Sequence, residues 1–274
     1  METILLNNGV EMPSLGLGTY KIGRTDEEVY HAVRSALDIG YRHIDTATLY
    51  QNEHSVGKAI RDSGITRDEL FVTTKLWGSD VLAHNVKGAF ETSLRNLGFD
   101  YLDLYLVHWP VKGRLQEVWK ELESLYYSEK ARAIGLSNHL IHHMEEALQN
   151  ATVAPVVNQV EQHPYLNQEE LRGYCEEEGV TVQSWSPLGS NKIPLLKEPV
   201  LAEIGSNYSK SPAQVVLRWH LDIGAVPLPK SSHPERQREN FEVFDFRLTA
   251  EEIGRIGALN RDHRTGMHPD NMEF

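Results

Sequence analysis

The sequence predicts an α/β protein closed into one (β/α)8 barrel, and three observations carry that expectation. Eight short apolar runs of strand length recur along the 274 residues. Between consecutive runs lie segments with apolar residues at three- and four-residue spacing, the mark of helices with one buried face. No shift of composition divides the chain, so all eight units fall in a single domain, residues 1–274. Strands buried on both faces read as short apolar runs. Parallel strands need helical crossovers, and eight such units close into a barrel of the TIM type.

The elements follow in order. The chain opens on ILLNNGVEMP, where Asn8-Gly9 between apolar runs predicts a β-hairpin, because both residues tolerate positive φ. The strand runs are LGLG (15–18), HID (43–45), FVTT (71–74), LDLYLV (102–107), AIGL (133–136), VVNQV (156–160), VTVQSW (180–185) and AVPLP (225–229). Helical spacing shows in Leu82, Val86, Phe90 and Leu94, and in Leu115, Val118, Trp119, Leu122 and Tyr126. Thr25, Asn167, Ser211 before Pro212, and Thr249 stand where N-caps are wanted. Gly40, Gly64, Gly98 and Gly179 stand where helices end in a left-handed residue before the next strand. Two segments exceed the minimal repeat, about 198–208 before the seventh helix and 249–259 near the end, and predict two extra helices. The last stretch, RDHRTGMHPDNMEF, lacks periodicity and reads as a loop folded over the barrel mouth.

Composition excludes several functions. Lys plus Arg is 27 against 39 Asp plus Glu, a net charge of −12 that repels nucleic acid and anionic membranes. Any anionic ligand must therefore be held by a local basic cluster. The lone cysteine, Cys175, forbids an intrachain disulfide and a multi-thiolate metal site, and a reducing cytoplasm fits it best. The N-terminus shows no basic start followed by an apolar stretch, and no 18 apolar residues run together. The Asn-x-Ser/Thr matches at Asn150 and Asn207 are then incidental.

Active sites of such barrels lie at the C-terminal ends of the strands. Asp45 ends the second strand, Tyr50 follows in its loop, Lys75 ends the third and His108 the fourth. Neighbouring strands are ~4.8 Å apart, so the four side chains can converge above one point. A tyrosine of pKa ~10 is a poor acid at neutral pH, and an adjacent Lys75 ammonium is expected to lower that value. Asp45 would keep the lysine charged, and His108 would orient a substrate oxygen. The competing reading of a strand-end carboxylate is a metal ligand or a cap. Yet no His-x-His stands near the first strand, and HHMEE (142–146) reads as the solvated face of a helix, not as His-Glu-x-x-His. No metal is expected. Gly16-x-Gly18 lacks the third glycine of a dinucleotide fingerprint and suits a close backbone approach at a strand end. Lys230 and Arg236 flank Pro234, so two cations and a helix N-terminus could meet one phosphate. A solvated charged turn is the alternative.

These segments, with HIDTATLYQNE, TTKLW, VHWP, AIGLSN, VVNQVEQHP, SWSPLG and LPKS, resemble the aldo-keto reductase family along the whole chain. The ending HPDNMEF and the short connection after VHWP are similar to its bacterial branch of glyoxal, methylglyoxal and 2,5-diketo-D-gluconate reductases. The resemblance implies an NADPH-dependent reductase of aldehydes and ketones, working as a monomer on a small carbonyl substrate. Tyr50 would be its general acid, with Asp45, Lys75 and His108 as partners. It implies cofactor contacts at Gly18, Thr19, Ser137, Asn138, Gln159, Trp185, Ser186 and Leu188, with Lys230, Ser231, Arg236 and Asn240 on the adenosine half. Trp185 would lie against the nicotinamide. Tyr20, Leu49, Trp77, His108 and Trp109 would wall the substrate pocket, and Met267 and His268 would close it. A cofactor-binding sensor with little turnover, as in channel-associated relatives, is disfavoured by the intact tetrad. Three features depart from the pattern: the short loop after VHWP, His233 beside the phosphate anchors, and YYSEKARAIG in place of a glycine-containing turn.

Overall fold

The computed structural model describes residues 2–274. The hairpin comes first: β1 (Thr3–Leu5) pairs antiparallel with β2 (Glu11–Pro13). Its turn is a three-residue connection, Asn7 to Gly9, in which Gly9 alone takes a positive φ of 81°. Eight parallel strands follow: β3 (Leu17–Gly18), β4 (His43–Asp45), β5 (Phe71–Leu76), β6 (Leu104–Val107), β7 (Ile134–Ser137), β8 (Val157–Glu161), β9 (Thr181–Trp185) and β10 (Val226–Pro227), each paired with the next in sequence. Gly16 N–H donates to Pro227 O and Gly18 N–H to Pro229 O, which joins the first barrel strand to the last.

Helices fill every crossover: α1 (Asp26–Ile39), α2 (Glu53–Arg61), α3 (Gly78–Leu82), α4 (Val86–Leu97), α5 (Leu115–Tyr127), α6 (Ile141–Leu148), α7 (Glu169–Glu177), α8 (Pro199–Tyr208), α9 (Pro212–Asp222), α10 (Pro234–Phe241) and α11 (Ala250–Gly257). The two extra helices are α8 and α11. Thr25, Ser211 and Thr249 accept from the N3 amides of α1, α9 and α11 as expected. Asn167 does not cap α7: Gln168, at φ 53°, holds that place, and Asn167 Oδ1 instead accepts from Glu169 N–H at 3.3 Å. The periodic run from Leu82 to Leu94 is also two helices. His84 at φ 52° interrupts it, and Leu82 is left exposed. Glu129, at φ 60°, takes the left-handed position where YYSEKARAIG lacks a glycine.

Two apolar layers hold the barrel. The larger lies between the sheet and its helices and includes Ile44, Val72, Tyr105, Trp119 and Trp219, all essentially inaccessible to water. The second fills the lower interior, where Phe71, Leu104, Leu106, Val157 and Val226 meet Leu6 and Met12 of the hairpin. The hairpin therefore plugs the barrel floor, and the polar interior is confined above it. No helix among the described residues is long and apolar enough to cross a membrane.

Candidate active site

Strand alternation builds the site. On β5 the inward residues are Phe71, Thr73 and Lys75; the first belongs to the apolar floor and the last is the polar top. The same parity on β4, β7, β8 and β9 brings Asp45, Ser137, Gln159 and Gln183 inside, and His108 follows directly on β6. β5, β6 and β8 thus offer apolar side chains low and polar ones high.

Lys75 is completely buried, and its Nζ donates to Asp45 Oδ1 at 2.7 Å, to Thr46 O at 2.8 Å and to the Tyr50 phenol oxygen at 3.4 Å. Burial pulls the ammonium's pKa down, and the Asp45 carboxylate opposes that. Tyr50 stands on a single 3₁₀ turn, Thr48–Tyr50, pinned by Thr48 Oγ1 donating to Lys75 O at 3.0 Å. Behind it Asn52 accepts from Thr46 Oγ1 at 2.8 Å and donates to Thr19 O at 3.0 Å. His108 packs edge-on between Tyr50 and Trp77, with ring centroids 5.8 and 5.3 Å away. Its Nδ1 is buried without a partner, and burial, then Lys75, holds its pKa well below the usual imidazole value. It is neutral at neutral pH.

One expectation fails here. The phenol of Tyr50 is not made more acidic: burial, then Asp45 and Tyr20, hold its pKa well above the ordinary value. The Lys75 charge is spent on Asp45 and the Thr46 carbonyl at shorter range, so desolvation of the phenolate dominates. Tyr50 is thus a neutral phenol that accepts a hydrogen bond from an ammonium and keeps its own proton.

Beside this group, Ser137 Oγ donates to Gln159 O at 2.8 Å, and Asn138, at φ 62°, donates to His108 O at 2.9 Å. Trp185 Nε1 donates to Asn138 Oδ1 at 2.8 Å. Gln159 Nε2 donates to Asp45 Oδ2 and to Gln183 Oε1, both at 2.8 Å, so it braces the carboxylate that braces Lys75. A Cβ on Gly18 would lie 2.9 Å from Leu228 O, and Thr19 Oγ1 is buried without a partner. Ser186, at φ 52°, and half-buried Leu188 lie in the loop after β9.

The second anchor lies across the barrel rim. Lys230 and Arg236 are exposed, and neither enters an ion pair among the described residues. Ser231 and Asn240 are buried beside them. His233 stands at the N-cap of α10 without a side-chain cap bond, and Pro234 is the first residue of that helix. The first-turn amides of α10 and the two exposed cations lie on the same short stretch of chain, residues 230–236. A cleft of about 550 Å³ between the starts of α1 and α10, lined by Glu28, His31, Ser232 and Pro234, adjoins it.

Tyr20 (50% exposed, ring 5.0 Å from Tyr50), Leu49, Trp77 and half-buried Trp109 surround the mouth. Sequence reasoning missed Glu161. It is buried at the end of β8 and accepts from Thr265 N–H at 2.7 Å, from the Thr265 hydroxyl and from Gly266 N–H at 3.1 Å. The tail is thereby clasped next to Trp185, close enough that a Cβ on Gly266 would sit 2.5 Å from the indole. It reaches on to Trp77, whose ring Phe274 touches at 5.1 Å. The alternation that singles out Gln159 also places Glu161 inside; that signal was available.

Residues 14–261 match the sequence profile of the Aldo/keto reductase family. The chain is 48% identical over 273 residues to glyoxal reductase of Bacillus subtilis (strain 168), covering 100% of this chain and 98% of that protein. It is similar in structure to MGS-M4, an aldo-keto reductase enzyme from a Medee basin deep-sea metagenome library (TM-score 0.95, 42% identity, 99% of this chain and 100% of that one). It is also similar to the Bombyx mori aldo-keto reductase in complex with NADP (TM-score 0.92, 37% identity, 98% and 96%).

Proposed function

The chain belongs to the aldo/keto reductase family, and from that premise we propose that it reduces small aldehydes and ketones to alcohols, glyoxal-type dicarbonyls among them, with NADPH as hydride source and Tyr50 as proton donor. The observation that carries the reading is the Tyr50 phenol, which is neutral, accepts from Lys75 and so leaves its O–H free for a substrate oxygen.

The residues present suit the cofactor. Lys230, Arg236 and the first turn of α10 suit a 2′-phosphate, with Ser231 and Asn240 beside the adenosine. Gly18 and the unpartnered Thr19 hydroxyl line the path between the anchors, with Ser186 and Leu188 opposite. Ser137, Asn138 and Gln159 offer hydroxyl and amide groups to a carboxamide, which has to exchange for the present Trp185–Asn138 bond to use Asn138 fully. Trp185 supplies a flat apolar face. When bound, the nicotinamide supplies a hydride to the carbonyl carbon.

The protein's own part is proton delivery and orientation. As negative charge grows on the carbonyl oxygen, Tyr50 gives up its proton, and the Lys75 ammonium 3.4 Å away stabilises the phenolate left behind. Asp45 favours the charged form of Lys75 against the burial that disfavours it. Neutral His108 donates one N–H to the same oxygen. Tyr20, Leu49, Trp77 and Trp109 exclude water and admit compact carbonyls.

We read residues 1–274 as one barrel domain acting as a monomer in a reducing compartment, in keeping with the single buried Cys175. The test is Tyr50→Phe. It should lower kcat/KM for glyoxal by about 10²–10⁴-fold while NADPH binding, followed by fluorescence, stays within about two-fold. Near wild-type turnover would refute the assignment.

A further inference from the structure

We propose that His142, His143 and Asp270 form a site for a borderline transition-metal ion, Zn²⁺ in its simplest form, that fastens the C-terminal tail to α6. The two histidines open α6, where the sequence showed only a solvated face. The third residue lies 127 positions past His143, in a 3₁₀ turn of the tail, Pro269–Asn271. Asp270 Oδ1 is 3.0 Å from His142 Nε2 and 3.2 Å from His143 Nε2, and one ligand atom from each residue lies within 4.8 Å of the other two. A tetrahedral zinc ion with ligands at ~2.05 Å spaces its donor atoms ~3.3 Å apart. Two edges of that figure are already present.

The donor set selects the ion. Two imidazoles and one carboxylate suit Zn²⁺, Ni²⁺ or Cu²⁺, whereas Mg²⁺ and Ca²⁺ require oxygen shells. Three protein ligands leave a fourth position for water. As the groups stand, both imidazole Nε2 atoms crowd a single carboxylate oxygen, and the rings lie with centroids 4.0 Å apart. A cation among them would give each donor its own bond. The carboxylate is presented by a preformed turn, since Asp270 N–H donates to His268 Nδ1 at 3.3 Å, Asn271 N–H donates to His268 O at 3.0 Å, and Pro269 is buried. Coordination through His143 Nε2 moves the ring proton to Nδ1 and gives up one bond, Leu140 N–H to Nδ1 at 3.2 Å. That is a long neutral hydrogen bond exchanged for a metal–nitrogen bond.

The position supplies the consequence. Asp270 sits between the two places where the tail meets the active-site mouth, the Glu161 clasp on Thr265 and Gly266, and Phe274 on Trp77. An ion here fixes the span that carries Met267 past the mouth.

The experiment uses tag-free, chelator-treated protein saturated with NADP⁺, titrated calorimetrically with ZnCl2 and, separately, MgCl2. We expect one Zn²⁺ per chain with Kd on the order of 10 µM or tighter, no competition by Mg²⁺, and at least ten-fold weaker binding in His142→Ala. His142 is 59% exposed and lies outside the catalytic group, so this variant keeps its fold and its NADP⁺ affinity. Asp270→Asn is the second variant and should behave alike. Zn²⁺ should also slow carboxypeptidase digestion of the tail in the wild type and not in His142→Ala. Equal Zn²⁺ binding by wild type and His142→Ala would mean scattered surface histidines and would overturn the site, as would no saturable binding below 100 µM. Unchanged digestion with Zn²⁺ bound would overturn the fastening.

Discussion

Replacing Asp45 by Asn keeps the shape of the side chain and removes one charge from a place water does not reach. Lys75 is wholly buried, and the carboxylate at 2.7 Å is its only anionic partner among the described residues. The amide can still accept from Lys75 through one oxygen, but its NH₂ then faces the Gln159 amide that now donates to Oδ2, so one bond of the pair is lost. Leaving a buried charge uncompensated costs about 3–5 kcal/mol. The lysine has one escape, loss of its proton, which from a pKa of ~10.4 costs about 4.6 kcal/mol at pH 7. Either way Asp45→Asn should be about 3–5 kcal/mol less stable at pH 7. At about 2.1 cal/mol/K per residue over 274 residues, that is a fall in Tm of about 5–9 °C.

The pH dependence is more diagnostic. With its partner gone, folded Lys75 has a pKa depressed further, while the unfolded chain stays protonated to ~10.4. Across that window the unfolded state binds the extra proton, so stability of the variant rises with pH, by up to about 1.4 kcal/mol per unit. The gap to wild type should therefore narrow from pH 7 to 9.5 in urea unfolding. The alkaline limb of kcat/KM should move down by at least about one unit, because the ammonium that stabilises the Tyr50 phenolate is lost earlier. A stability gap that stays flat over that range, with an unmoved limb, would show that Asp45 does not hold the Lys75 proton.

Lys230→Ala should weaken NADPH by about 10–150-fold, the worth of a charge-assisted hydrogen bond, and NADH by less than about three-fold; equal losses in coenzyme titrations would remove the 2′-phosphate role. His43, His139 and His220 are fully buried, and burial lowers their pKa values to about 4, 3 and 3. The unfolded chain protonates them below ~6.5 and the folded one does not, so stability falls as pH drops, by about 1.6 kcal/mol per histidine between pH 6.5 and 5. His220→Asn should flatten the acid limb by that amount in pH-stepped urea melts, and an unchanged slope would exclude the residue as a source. Gly266→Ala puts a methyl against Trp185 and should cost about 1–3 kcal/mol in kcat/KM, read with the tryptophan fluorescence change on NADPH binding. Wild-type values for both would mean that the tail yields without touching the indole.

Much of this site is legible in sequence because strand parity is strict. Once Lys75 points inward, Thr73 and Phe71 must as well, and the ends of β4 and β8 deliver Asp45 and Gln159 to the same layer. The hairpin, the extra helices and the tail were readable from turn residues and length. What escaped depends on distances. Whether Lys75 acidifies Tyr50 turns on 3.4 Å against 2.7 and 2.8 Å, and on how much water the phenol has lost. The break at His84 is equally hidden, since apolar spacing continues across it from Leu82 to Val86 while the backbone turns left-handed. Glu161 meets Thr265 and Gly266, and Asp270 meets His142, only when the last ten residues fold back over elements laid down more than 100 positions earlier.

The seam of the barrel has a bearing on how the molecule breathes. β8 and β9 are matched over five residue pairs, but β3 and β10 are two residues each and meet through two amide bonds, from Gly16 and Gly18. Few bonds hold the closed sheet along this line. Gly18 and Thr19 stand on one lip of it, Lys230 and Ser231 just beyond the other. A dinucleotide bound across both lips, as proposed, would act as a suture: the protein without it would open there first, and the amides of Gly16 and Gly18 would trade their hydrogens with water at a rate set by how often the stitch is out.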